Sequence, residues 1–312
     1  MKFIKDFKEL SKEDIVIAGG KGANLGELLK INILVPPGFV VLASAFERFL
    51  EENDINVEIA TRLNKINIED IESVEEGSEI LRDLILKAEM SKEIEKEILA
   101  AFKKLKAKYV AVRSSATAED SKIDSWAGEL ETYLNTTKEN SIENVKKCWA
   151  SLYTPRAIFY RFKRGLNKKP VSVAVVIQKM IQSEVSGVCF TVHPVNRNKN
   201  QMIIEACWGL GEILVQGKIT PDTYIIQKSN LKILDINKNP QNEMIIRLKN
   251  GTRNALIPKS KKERQKLSEK EIKELAKICL KIENHYKDPQ DIEWTLEKNK
   301  FYIVQARPIT AL

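Results

Sequence analysis

The sequence predicts an α+β fold of two lobes. Three observations carry this. Strands and helices follow one another in no strict βαβ order. A charge-rich helical stretch, about 55–107, interrupts the strands of the first half. The chain closes with two alternating runs, Asp291–Leu296 and Phe301–Arg307, that read as an antiparallel hairpin with one wet and one dry face. At 312 residues the chain is long enough for two or three domains or subdomains around a sizeable core. The expected division is an N-terminal lobe over 1–172, carrying the helical insertion, and a C-terminal lobe over 173–312 ending in the hairpin.

The elements follow in order. Residues 12–30 read as a loop and then a helix, with Gly19-Gly20-Lys21-Gly22 as punctuation and Leu25, Leu28 and Leu29 along one side of Ala23–Lys30. Pro36-Pro37-Gly38 marks a turn before a short strand, Phe39–Leu42, and Ser44 is placed to cap a helix through Leu50. Within 55–107 the clearest helix starts at Ser91, where Ile94, Ile98, Phe102 and Leu105 share a face. Tyr109–Arg113 is a short strand, Ser114–Gly128 a polar loop, and Glu131–Asn135 a strand; 139–164 is helical. The continuous apolar run Val171–Ile177 reads as a buried strand, and Val185–Val192 as another that ends at His193-Pro194. Short strands lie near 202–206, 223–228, 231–236 and 243–248. The basic, polar stretch 252–267 reads as a loop, and Ser268 caps a helix through about His285.

Composition excludes several classes. Hydrophobic residues at 43% and charged residues at 30% are those of a soluble globular chain. No apolar run spans a bilayer and the N-terminus carries no signal peptide, so the expected location is the cytoplasm, with no membrane partner. Cys148, Cys189, Cys207 and Cys279 form no CxxC pair and read as buried thiols, not a zinc site or disulfide framework. The net charge of +8 comes from lysines spread along helices beside glutamates, with no basic stripe interleaved with aromatics. This argues against nucleic acid and leaves anionic small ligands or a Lys-rich surface.

The hairpin gathers the most chemistry. A three-residue loop, Lys298 to Lys300, sets Glu293 opposite Gln305 and Asp291 opposite Arg307, with Ile292, Trp294, Leu296, Tyr302, Val304 and Ala306 on the other face. The polar face is either a solvated salt bridge or a Mg-nucleotide site, since magnesium takes one or two carboxylates plus phosphate oxygens and an Arg beside it clamps phosphate with two prongs. Lys21 lies in a glycine-rich turn before a helix, where a backbone approaches phosphate closely; the plain alternative is a solvated loop lysine. Gly22 in place of Ser or Thr excludes a Walker A loop. Arg113 ends a strand ahead of Ser114-Ser115-Ala116-Thr117-Ala118-Glu119-Asp120, and either holds a phosphate or pairs with Glu119 or Asp120. The long loop to Gly128 suits a lid. Gln178-Lys179-Met180 either offers backbone to an adenine edge with Met180 against the ring, or is an ordinary strand exit with Met180 in the core. Neither of the two histidines, His193 and His285, has a carboxylate or Cys at catalytic spacing, so Ser-His-Asp chemistry has no support.

Taken together the motifs resemble the N-terminal nucleotide-binding domain of phosphoenolpyruvate synthase (pyruvate, water dikinase), a domain shared with pyruvate phosphate dikinase and rifampin phosphotransferase. They are Gly19–Leu28, Val35-Pro36-Pro37-Gly38-Phe39, Val112–Asp120, Ala127-Gly128 with Glu131–Asn135, Ser186–Thr191 with Pro194, Gly209-Leu210-Gly211-Glu212, Thr220-Pro221-Asp222 and Gln305-Ala306-Arg307-Pro308. They stand in family order over about 12–310. The resemblance implies an ATP-grasp fold, two α+β lobes that close on ATP. It also implies roles. Lys21 and Arg113 contact phosphates. Gly128 and Thr132 sit on the phosphate-covering loop. Gln178, with Lys179 and Met180, holds adenine. Glu293 and Gln305 bind Mg2+ with Asp291 close by, and Arg307 stabilises the transferring phosphoryl.

Family enzymes continue into a swivelling phosphohistidine domain and an acceptor domain. Here the given sequence ends at Leu312, four residues after Gln305-Ala306-Arg307-Pro308, and His193 lies outside the phosphohistidine motif. The resemblance therefore implies an incomplete dikinase-type phosphotransferase, using ATP and Mg2+ and handing a phosphoryl group to a histidine on a separate protein or on missing C-terminal domains. The alternatives are a rifampin-phosphotransferase-type ATP domain and a non-catalytic ATP-binding module.

Overall fold

Among the described residues, apolar strands build two large antiparallel sheets and a separate two-stranded one, and amphipathic helices bury a face of each large sheet. The computed structural model describes residues 2–117, 131–166, 171–248 and 251–309. The chain divides into two compact units, Met1–Glu27 with Pro37–Met180, and Leu28–Pro36 with Ile181–Leu312. The change after Met180 falls later than the expected 172–173, because the strand beginning at Val173 lies in the middle of the first sheet.

The first unit contains β1 (Ile4–Asp6), most of α1 (Ile15–Lys30), β2 (Gly38–Val41), α2 (Ala43–Glu52), α3 (Asn56–Lys65), α4 (Ile71–Lys87), α5 (Lys92–Leu105), β3 (Val110–Ala116), β4 (Thr132–Thr136), α6 (Ser141–Ala150), α7 (Pro155–Lys163) and β5 (Val173–Lys179). Its sheet runs β1-β2-β5-β3-β4. Val173, Val175 and Ile177 of β5 join Phe46, Phe49, Trp149, Ile94, Ile98 and Phe102 in one core. The helical stretch 55–107 resolves into α3, α4 and α5. Lys146 Nζ donates to the Leu86 and Ala88 carbonyls, each at 2.6 Å, and so satisfies open carbonyls at the end of α4. Ser44 does not cap α2. The helix begins at Ala43 directly off β2, and Leu42 holds the cap position without a side-chain bond.

The second unit contains β6 (Val185–Phe190), β7 (Gln201–Trp208), α8 (Glu212–Val215), β8 (Asp222–Gln227), β9 (Lys232–Asn237), β10 (Glu243–Leu248), β11 (Gly251–Leu256), α9 (Lys259–Lys262), α10 (Glu269–Tyr286), β12 (Gln290–Glu297) and β13 (Lys300–Pro308). The large sheet runs β13-β12-β6-β7-β8-β9, and β10 pairs with β11 as a separate hairpin. The stretch 252–267 is therefore not a loop throughout. Residues 252–254 are exposed, so β11 lacks the dry alternation that marks a strand in sequence. Ser268 and Glu271 form a reciprocal cap on α10. The helix buries Ile272, Leu275, Ala276, Cys279 and Ile282, and its Cys279 thiol meets that of Cys189 on β6. All four cysteines are buried and free; burial pushes the Cys207 thiol up to about 12, which makes it unreactive. Among the described residues no helix is long and apolar enough to cross a membrane.

Gly187 sits where β6 passes under Trp294. A Cβ there would fall 1.8 Å from the Glu205 carbonyl oxygen and 2.7 Å from Trp294 Cζ2. Gly187→Ala is expected to cost about 1–3 kcal/mol through overpacking, read as a shift in the urea midpoint at unchanged slope.

Candidate functional site

In the first unit β3 organises the candidate residues. Arg113 stands opposite Thr132 on β4 and Val176 on β5, while Gln178 stands opposite Ala111 and Gly38. Opposed residues share a face, so Arg113, Thr132 and Gln178 project from the side away from the helical core. α1 packs on that side: a Cβ on Gly22 would lie 2.9 Å from Val40 Cγ2. The helix breaks at Gly19, with φ 65° and ψ 168°. Just beyond the break Ser115 Oγ accepts from Lys21 N at 3.1 Å and from Gly22 N at 3.4 Å. Lys21 is thus fastened to the strand that carries Arg113. On the other face of β3, Ser114 N and Oγ donate to the Glu131 carbonyl at 3.2 and 2.8 Å, which fixes the start of β4. Of the expected loop Ser114–Gly128, Ser114–Ala116 belong to β3 instead; 118–130, with Gly128 and the rest of the expected lid, lie outside the described residues.

The Gln178–Met180 segment divides its roles. Lys179 N donates to Pro37 O and Met180 N to Tyr109 O, so the backbone donors expected to meet an adenine edge are already engaged in the sheet. Met180 is buried and its Sδ accepts from Asn135 N at 2.9 Å, while Lys179 is exposed. Gln178 differs: it is 3% exposed, and its Nε2 has no hydrogen-bond partner among the described residues. A buried amide donor left unmet is costly, and an acceptor such as a ring nitrogen has the chemistry to meet it.

In the second unit the hairpin brings its four expected residues together by a different route. The loop is two residues, Lys298 and Asn299, with φ 50° and 58°, so Glu297 faces Lys300. A bulge between Glu293 and Trp294 takes up the residue this removes, and Glu293 still faces Gln305 and Asp291 still faces Arg307. On the turn side of the bulge, Phe301 and Ile303 take the buried positions opposite Leu296 and Trp294, in place of Tyr302 and Val304. Arg307 donates to Asp291 Oδ2 through Nε at 2.9 Å and Nη2 at 2.7 Å. Burial pushes the Asp291 carboxyl up against the pull of Arg307, and the charge of Glu293 adds to the push.

Glu205 belongs to the same face. Glu293 faces Val188 and Val188 faces Glu205, which places the second carboxylate two strands away in one row. Burial pushes it up and the charge of Asp291 adds to this. Three carboxylates against one guanidinium make the face cation-seeking. The signal for Glu205 in sequence was a single acid inside the apolar run Met202–Trp208. Glu293 and Gln305 fit magnesium by donor chemistry, a carboxylate and an amide oxygen on directly opposed residues. Among the described residues no three His, Cys, Asp or Glu side chains form a closed metal cage. A one- or two-ligand oxygen site is the kind that magnesium shares with phosphate and water.

The sequence matches the family described as "Pyruvate phosphate dikinase, AMP/ATP-binding domain" over residues 15–312. It is 46% identical over 320 residues to a probable phosphoenolpyruvate synthase of Methanocaldococcus jannaschii, covering 100% of this chain and 27% of that protein. It is 47% identical over 310 residues to a probable phosphoenolpyruvate synthase of Archaeoglobus fulgidus, covering 97% of this chain and 41% of the other. Against the phosphoenolpyruvate synthase of Pyrococcus furiosus it is 41% identical over 359 residues, covering 100% and 44%. The chain therefore spans less than half the length of each of these curated relatives.

Proposed function

The chain belongs to the pyruvate phosphate dikinase AMP/ATP-binding domain family, and from that premise we propose that it is the ATP-handling part of a phosphoenolpyruvate-synthase-type phosphotransferase. In this reading it binds Mg-ATP in ATP-grasp fashion and passes a phosphoryl group to a histidine on another domain or protein. The observation that carries the reading is the hairpin face, where Glu293 opposes Gln305 and Asp291 opposes Arg307. Phosphoryl transfer asks a protein chiefly for positioning and for neutralising charge. Lys21 and Arg113 receive the phosphates, and the unmet amide of Gln178 receives the base. Thr132 stands opposite Arg113 on β4, and in this reading it and Gly128 serve the covering of the phosphates. Glu293 and Gln305 hold magnesium, which when bound neutralises phosphate charge, and Arg307 takes the transferring group. In the same reading the overall conversion is of ATP, pyruvate and water to AMP, phosphoenolpyruvate and phosphate, in the cytoplasm; the name phosphoenolpyruvate synthase carried by the relatives supports the product.

The test is incubation of the purified chain with Mg-ATP, with and without a separately expressed phosphohistidine domain from the same organism. Adenine nucleotides are separated and the partner is assayed for phosphohistidine. AMP and partner labelling are expected together, and both are expected to vanish in Lys21→Ala. ATP that binds but stays intact with every partner would replace the catalytic reading with a binding module.

A further inference from the structure

We propose that Ser115 is the positioning residue that sets Lys21 for phosphate contact and ties it to Arg113 through β3; the inference rests on the reading that Lys21 meets the phosphates of ATP. A helix N-terminus is usually capped by the residue just before it, whose side-chain oxygen accepts from the first free N–H groups. In α1 the residue that precedes the restart is glycine, which has no oxygen to give. The cap comes instead from a strand 94 residues away in sequence, as Ser115 Oγ accepts from the N–H groups of Lys21 and Gly22.

The turn is built around that hydroxyl. Gly19 takes the left-handed φ of 65°, and a Cβ on it would lie 2.2 Å from Ser115 Oγ and 2.3 Å from the Ser115 carbonyl oxygen. Ser115 is fully buried, so water does not stand in for it. The bond to Lys21 is made at that residue's own backbone, which fixes where its side chain starts. Ser115 lies two positions beyond Arg113, on the same face of the same strand. Both phosphate-contacting cations of this unit are therefore held to one rigid element, and their spacing survives motion elsewhere. Ser115→Ala removes the acceptor that the Lys21 and Gly22 N–H groups share, so the turn relaxes and Lys21 moves with it.

The experiment is a double-mutant cycle on the full chain with Ser115→Ala, Lys21→Met and the double variant, reading the Mg-ATP Kd by calorimetry and stability by urea on the same samples. Ser115→Ala is expected to weaken Mg-ATP about tenfold when Lys21 is present and to change nothing further when it is Met. Ser115→Thr, which keeps the hydroxyl, is expected to restore most of the affinity. Where Ser115→Ala does not fold, Ser115→Cys, of similar volume and a weak acceptor, runs through the same cycle. An equal loss in both Lys21 backgrounds, or none in either, would overturn the positioning role alone. Wild-type affinity in Lys21→Met would overturn the reading of Lys21, and this inference with it.

Discussion

Asp222→Ala is expected to remove about 3–5 kcal/mol of stability, the cost of breaking a buried ion pair from one side. Asp222 and Lys266 are joined at 2.7 Å with both side chains at 0% exposure. Each oxygen of the carboxylate is used again. Oδ1 accepts from Asn239 N at 2.9 Å, and Oδ2 accepts from Lys266 N at 2.9 Å and from Tyr224 OH at 3.0 Å. Lys266 Nζ also donates to the Asn239 carbonyl. The alanine variant leaves an ammonium in a dry interior with one carbonyl for company, and strips acceptors from two backbone N–H groups. Urea denaturation followed by tryptophan fluorescence measures the loss. Lys266→Met should lose a comparable amount, and pairing Asp222→Leu with it should return part of it, because an apolar pair has no charge to strand. A single-variant loss below about 1 kcal/mol, the scale of an exposed pair, would show that the node is not dry in solution. The Thr220-Pro221-Asp222 motif thus acts in the fold: it locks β8 to the segments on either side of the β10–β11 hairpin.

What the sequence made legible follows the range of the interaction. The hairpin register was readable because Asp291, Glu293, Gln305 and Arg307 are the polar members of two alternating runs, and alternation is local. The bulge at Glu293–Trp294 was not, since a shorter loop and one extra residue leave the same polar pairs opposed. Only the dry face betrays it, through Phe301 and Ile303. Lys21 and Arg113 were readable as separate candidates from glycine punctuation and a cation closing an apolar run, although β3 continues past Arg113 to Ala116 and Arg113 is not at its end. Their common anchor was not, because Ser115 reaches Lys21 across 94 residues and no period in the chain encodes that. Ser44 failed as a cap for a simpler reason: cap chemistry is permissive, and a strand that runs straight into a helix leaves the cap position to Leu42. At 178–180 the sequence offered three candidates for the base, and the sheet takes two backbone donors before any ligand arrives.

Arg307→Ala is expected to slow phosphoryl transfer to the partner histidine by roughly 100- to 1000-fold, the usual cost of deleting a preorganised donor to developing charge, while Mg-ATP affinity falls far less. The reasoning starts from geometry. The guanidinium is held by Nε and Nη2 on a single oxygen of Asp291, so its plane is fixed while the ion pair persists. A planar fork fixed in advance matches a phosphoryl group without further ordering, and that advantage is felt where charge spreads over the equatorial oxygens. Arg307→Lys keeps the charge and loses the fork, so it should recover little of the rate. Asp291→Asn keeps the guanidinium but loosens its orientation, so it should fall between wild type and Arg307→Ala. Single-turnover labelling of the partner histidine gives the rate, and calorimetry gives the affinity. Arg307→Ala that labels within about twofold of wild type would mean the guanidinium serves only to pair Asp291, and the phosphoryl group would have to be met by Lys21 and Arg113. A loss confined to affinity would place Arg307 on the ground state. The expected pattern, a lost rate with affinity largely kept, is the one that a clamp acting in the transition state produces.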